Sequence, residues 1–68
     1  MSNMLSKLRT DKGLTQMQLA FALGTNQKNV TAWESGKRTP RPRMMQKIED
    51  YFDIPKEKIF FDAFDYSK

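Results

Sequence analysis

Apolar residues return at helical intervals along most of the chain, and no segment shows the strict alternation of a half-buried strand. Leu5 and Leu8, with Lys12 a turn further on, fall at i, i+3 and i+7 before Gly13, which predicts a first helix over about residues 3–12. The next helix has the strongest start signal in the chain. Thr15 and Gln18 are spaced as a capping box, in which the hydroxyl accepts from the Gln18 N–H while the Gln18 side chain reaches back. Leu14 and Leu19 stand at the hydrophobic-staple positions on either side. This helix runs over residues 16–23 with Leu19, Ala20 and Leu23 on one face, and Gly24 stops it. Asn26 is a good N-cap for a third helix over residues 27–35, whose inward residues are Val30 and Trp33 and whose end is Gly36. Two short helices joined by Gly24-Thr25-Asn26 form a helix-turn-helix arrangement. After a basic loop broken by Pro40 and Pro42, a fourth helix shows Met44, Met45, Ile48 and Phe52 on one face, with Pro42 in its first turn. A short fifth helix is expected to start at Pro55 and to carry Ile59 and Phe60. The expectation is an all-α, compact five-helix domain over residues 1–61 with a tail over 62–68.

Composition narrows the chemistry. A chain of 68 residues makes one small domain, burying only about 60% of its unfolded surface. The absence of Cys removes disulfides, thiolate nucleophiles and thiolate metal sites, and the absence of His removes imidazole acid–base chemistry. A zinc site would need carboxylates alone, so no catalytic residue, metal or cofactor is expected. No apolar run approaches the roughly 18 residues of a membrane span, and Met1-Ser2-Asn3-Met4 is unlike a signal peptide. The expectation is therefore a cytoplasmic protein with no membrane partner. Charge is uneven along the chain. Residues 1–45 hold eight Lys/Arg against two acids, net +6, while residues 46–68 hold four Lys against six acids, net −2. A polyanion is the natural partner of the basic part, if its cations share a face.

The residues Lys12-Gly13-Leu14-Thr15-Gln16, Leu19-Ala20, Leu23-Gly24, Val30 and Trp33-Glu34-Ser35-Gly36-Lys37-Arg38-Thr39-Pro40 stand in one register. In that register the chain resembles the Cro/repressor-type helix-turn-helix family of phage and bacterial regulators over about residues 4–60. The resemblance implies a double-stranded DNA operator as partner and no small-molecule ligand.

An α-helix fits the major groove of B-DNA, where each base pair presents its own donor and acceptor pattern. Winding outward from Val30 at 100° per residue, Lys28, Thr31, Ala32 and Ser35 face away from the core, with Gln27 at the edge. Gln27 suits an adenine edge, Lys28 the guanine acceptors and Ala32 a thymine methyl, while Thr31 suits either kind of contact. Gln16 opens the second helix, where backbone N–H groups and the helix dipole favour a phosphate. The resemblance adds that a glutamine here holds a phosphate and braces the glutamine that opens the recognition helix, Gln27. It also implies phosphate-backbone contacts from Ser35, Lys37, Arg38, Arg41 and Arg43, with either Arg41 or Arg43 entering the minor groove. Arg9 and Glu34 are implied as a structural ion pair tying the first helix to the end of the third.

One such domain covers one half-site, and specific affinity in this class comes from a two-fold dimer. Phe60, Phe61, Phe64 and Tyr66 put four aromatics near the end of the chain. Either they close the core, or some pack against a second copy in a weak homodimer on DNA. The length matches one helix-turn-helix domain with nothing appended, so regulation is expected through dimerisation, abundance or a partner. The leading expectation is a repressor of the phage or mobile-element kind that occupies a palindromic operator. The alternative is an antitoxin or regulator that acts mainly by binding a partner protein.

Overall fold

The computed structural model describes residues 4–60. In chain order it contains α1 (Leu5–Asp11), α2 (Gln16–Leu23), α3 (Gln27–Ser35), α4 (Pro42–Phe52) and α5 (Lys56–Ile59), with no strand among the described residues. The tail boundary at residue 61 and the aromatics Phe61, Phe64 and Tyr66 lie outside the described residues.

Local chemistry explains most of these boundaries. The Thr15 hydroxyl accepts from the Gln18 N–H at 3.1 Å, and the Gln18 Oε1 accepts from the Thr15 N–H at 2.8 Å, completing the capping box of α2. The Asn26 Oδ1 accepts from the Asn29 N–H at 2.9 Å and starts α3. Pro42 occupies the first turn of α4, where its missing N–H costs nothing.

Three expectations need correcting at the edges. α1 starts at Leu5, because the Met4 N–H donates to the Ile59 carbonyl at 3.3 Å and ties the chain start to α5. α1 ends at Asp11 and not at residue 12, because Lys12 is its C-cap, an exposed residue whose Nζ lies 5.4 Å from the Tyr51 ring centroid. Pro55 is the N-cap of α5, and the helix itself begins at Lys56.

All five helices contribute to one core. Leu5, Leu19, Leu23, Val30, Ile48 and Ile59 are fully buried, and Ala20, Trp33, Met45, Phe52 and Phe60 are buried around them. Each large side chain buried this way contributes about 1.5–3 kcal/mol. Leu8, Leu14 and Met44 are half-buried against the same cluster. α2 is apolar on nearly every side, so its inward face leaves Met17 and Phe21 exposed on the other, Phe21 at 88%.

The turn between α2 and α3 sets the angle of the two helices and is held from several directions. Gly24 takes the left-handed conformation, φ 73°, which L side chains adopt at a cost. The Thr25 N–H returns to the Ala20 carbonyl at 2.9 Å and the Gly24 N–H to the Phe21 carbonyl at 3.2 Å, a Schellman closure. From α4, the Lys47 Nζ donates to the Leu23 carbonyl at 2.9 Å, placing a cation at the negative end of α2. A Cβ on Gly24 would lie 3.3 Å from that Nζ. On the other side the Asn29 Nδ2 donates to the Thr25 hydroxyl at 2.8 Å.

Candidate nucleic-acid interface

α3 turns Val30, Trp33 and Glu34 inward, and the 100° step then leaves Gln27, Lys28, Thr31 and Ser35 exposed, with Ala32 half-buried between them. The loop after α3 folds back over this face. The Arg38 N–H donates to the Ala32 carbonyl at 3.2 Å, and the Ser35 hydroxyl donates to the same carbonyl at 3.1 Å. Gln27, Lys28, Asn29, Thr31, Ala32, Ser35, Lys37 and Arg38 together line one open concave surface. A neighbouring concavity is lined by Thr25, Asn29, Trp33, Arg38, Thr39, Pro40, Arg41 and Met44, so Arg38 and Asn29 border both. No carboxylate lines either surface. Arg43 is exposed in the first turn of α4 and lines neither.

Asn29 did not stand out in the sequence. Its backbone N–H belongs to the Asn26 cap and its side chain to the turn, and the residue borders both concave surfaces. The only signal that could have found it is its spacing, four residues after Thr25.

Behind the face lies a chain of side-chain hydrogen bonds that joins α1, α2 and α3. Arg9 Nε donates to Glu34 Oε2 at 2.6 Å and Arg9 Nη2 to Glu34 Oε1 at 3.2 Å, with the two side chains 13% and 7% exposed. The third edge of the guanidinium, Nη1, donates to the Leu14 carbonyl at 2.6 Å. Gln16 Nε2 donates to Glu34 Oε1 at 3.1 Å. Gln16 Oε1 in turn accepts from the Thr31 hydroxyl at 2.9 Å and from Gln27 Nε2 at 3.4 Å. The structure thus brings Arg9, Glu34, Gln16, Gln27 and Thr31 into one connected set. It places Lys37 and Arg38 on the concave surface beside them, and Arg41 one concavity further on.

This arrangement offers hydrogen-bond donors, acceptors and fixed positive charge on a surface a helical groove can receive. Among the described residues no group of three or more His, Cys, Asp or Glu could hold a metal ion, and no helix is long and apolar enough to cross a membrane. Every buried side-chain nitrogen and oxygen among them has a partner, as a preorganised polar network requires.

A small all-helical domain that presents its third helix in this way, braced across a glycine turn by the second, is a helix-turn-helix DNA-binding domain. The chain belongs to the helix-turn-helix family, whose model matches residues 5–59, and the Cro/repressor-type resemblance read from its motifs agrees with that membership. It is 36% identical over 55 residues to the HTH-type transcriptional activator BcrR of Enterococcus faecalis, covering 81% of this chain and 27% of that protein. It is 37% identical over 60 residues to an uncharacterized HTH-type transcriptional regulator of Methanocaldococcus jannaschii, covering 88% of this chain and 91% of that one. The chain therefore spans about a quarter of the bacterial relative and most of the archaeal one. No solved structure gave a significant match. The helix-turn-helix family is one of DNA-binding domains and is typically non-enzymatic.

Proposed function

We propose that the chain is a sequence-specific transcription regulator that reads a palindromic operator by laying α3 in the major groove of double-stranded DNA. The observation that carries this reading is the carboxylate-free concave face of Gln27, Lys28, Thr31, Ala32, Ser35, Lys37 and Arg38. Gln27, Lys28, Thr31 and Ala32 contact base edges, with an amide and an amine at the helix start, where the groove is entered. Ser35, Lys37 and Arg38 lie along phosphates. The first-turn N–H groups of α2, beginning at Gln16, take another phosphate. Arg41 and Arg43 flank the start of α4, and one of them enters the minor groove. The Arg9–Glu34 pair stays out of the interface and holds α1 to α3.

Two copies on half-sites about 34 Å apart supply the affinity that a single small interface lacks. Acting in the cytoplasm, such a dimer represses by occupying a promoter, as a phage or mobile-element regulator does, without chemistry or cofactor. The test is selection from a randomised duplex pool followed by footprinting at physiological salt. Enrichment of a two-fold symmetric site, protected over both half-sites, is the expected result. Failure to enrich any sequence overturns the reading, and a reporter driven from the selected site gives the sign of regulation.

One observation favours a second reading, in which a partner protein is the main ligand, as for an antitoxin. Met17 and Phe21 lie one turn apart on α2 and are 66% and 88% exposed, an apolar pair of the sort that marks protein interfaces. The same selection separates the two, because a protein-directed module enriches no DNA sequence.

A further inference from the structure

One group on the reading face has its hydrogen-bonding sense decided elsewhere in the fold. The Glu34 side chain is buried, and a carboxylate can only accept. Arg9 grips it from one side through both of its oxygens. On the other side Glu34 Oε1 must therefore meet the amide nitrogen of Gln16, which lies 3.1 Å away. That turns Gln16 Oε1 toward α3, where it too can only accept. Its two neighbours are obliged to donate. The Thr31 proton is committed to it at 2.9 Å, so the hydroxyl shows the groove lone pairs alone. Gln27 commits one N–H at 3.4 Å and keeps the other, together with its Oε1, for the groove.

We propose that Glu34, through Gln16, sets the hydrogen-bonding sense of Thr31 on the reading face, making it an acceptor that selects an amino-bearing base edge. This rests on the reading of α3 as the groove helix. An acceptor at Thr31 matches the N4 amino group of cytosine or the N6 amino group of adenine. It repels the all-acceptor edge of guanine and the O4 of thymine. Glu34 is a positioning residue in this scheme. With a glutamine in its place the inner partner could either donate or accept, Gln16 could turn over, and the Thr31 proton would be free to face the groove.

The experiment compares base preference, position by position, for the full chain and four variants, using selection from a randomised duplex pool and competition between single-base variants of the selected site. The wild type should restrict one position of each half-site to adenine or cytosine by about fivefold or more, the lower end of what one good contact discriminates. Thr31→Ser keeps the hydroxyl and should keep that restriction. Thr31→Val and Glu34→Gln should reduce it to below about twofold at that position, leaving the positions read by Lys28 and Ala32 unchanged. Gln16→Met leaves the Arg9–Glu34 pair intact and should lose the same restriction at the same position, so it carries the test if Glu34→Gln fails to fold. A merely structural role predicts weaker binding to every sequence with the preference intact, and that result in Gln16→Met or in folded Glu34→Gln would overturn the inference alone. If the wild type enriches no sequence, the DNA reading and the inference fall together.

Discussion

Replacing Arg9 with methionine keeps an apolar stem of similar length but removes a guanidinium engaged on all three edges. Two bonds to the Glu34 carboxylate disappear, at 2.6 and 3.2 Å, and the Leu14 carbonyl loses its 2.6 Å partner. Glu34, whose side chain is 7% exposed, is left with the Gln16 amide as its bonding partner in this cluster. Breaking a buried pair from one side costs about 3–5 kcal/mol, because the surviving charge stays desolvated. For a chain of 68 residues the total stability is of the order of 3–10 kcal/mol, so the variant should sit near the edge of folding. At about 4–8 °C per kcal/mol for a domain of this size, the melting temperature should fall by roughly 12–40 °C. Thermal unfolding followed by far-ultraviolet circular dichroism at neutral pH measures it directly. Adding Glu34→Leu to Arg9→Met should recover part of the loss, since an apolar replacement of the whole pair removes the orphaned charge. DNA affinity, measured well below the melting temperature, should change less than stability does. A melting temperature within about 3 °C of wild type, which corresponds to less than about 1 kcal/mol, would refute the reasoning. So would strictly additive losses in the double variant.

Three further outcomes are expected. Gln27→Ala should weaken binding to the selected operator by about 1–3 kcal/mol and blur the preference at one base pair, read by competition footprinting. Lys37→Ala should weaken binding to all sequences alike and lower the slope of log K against log salt by about one, the signature of one lost phosphate contact. Glu49 accepts from the Lys56 N–H at 2.9 Å, from Gln46 Nε2 at 3.1 Å and from Lys56 Nζ at 3.2 Å, and these bonds hold its carboxyl below the ordinary glutamate range. A depressed folded value means its stabilising contribution is complete above the unfolded glutamate pKa of about 4.3 and is lost as pH falls through the lower folded value. NMR titration should find Glu49 titrating low, and Glu49→Gln should flatten the acid limb of the stability profile; an ordinary titration would count against the α4–α5 contact.

Much of the fold is written in short-range signals. The Thr15–Gln18 capping box, the Asn26 cap, the left-handed glycine after α2 and Pro42 at the start of α4 depend on residues within a few positions of one another. The same holds for the outward face of α3, which follows from Val30 and Trp33 by rotation alone. Periodicity says less where a helix is apolar nearly all round or where a polar residue shares its phase. In α2, apolar nearly all round, the repeat still sets Leu19, Ala20 and Leu23 on the buried face, but it gives no sign that Met17 and Phe21 stand exposed. Lys12 keeps the helical phase of Leu5 and Leu8 but caps α1, its charge held at the surface beside the Tyr51 ring.

By itself the sequence determined the order and type of the helices, the residues that build the core, and the set of side chains offered on α3, because these follow from local conformational preference and from a 3.6-residue repeat. Only the tertiary structure decided how those side chains are presented. The Lys47 cap on α2 comes from 24 residues away. The sense of the Gln16 amide is likewise decided by a carboxylate 18 residues on, on another helix. An amide is nearly symmetric in shape but not in hydrogen bonding, so its orientation cannot be read from its own position. It becomes definite when packing brings an obligate acceptor against one end of it.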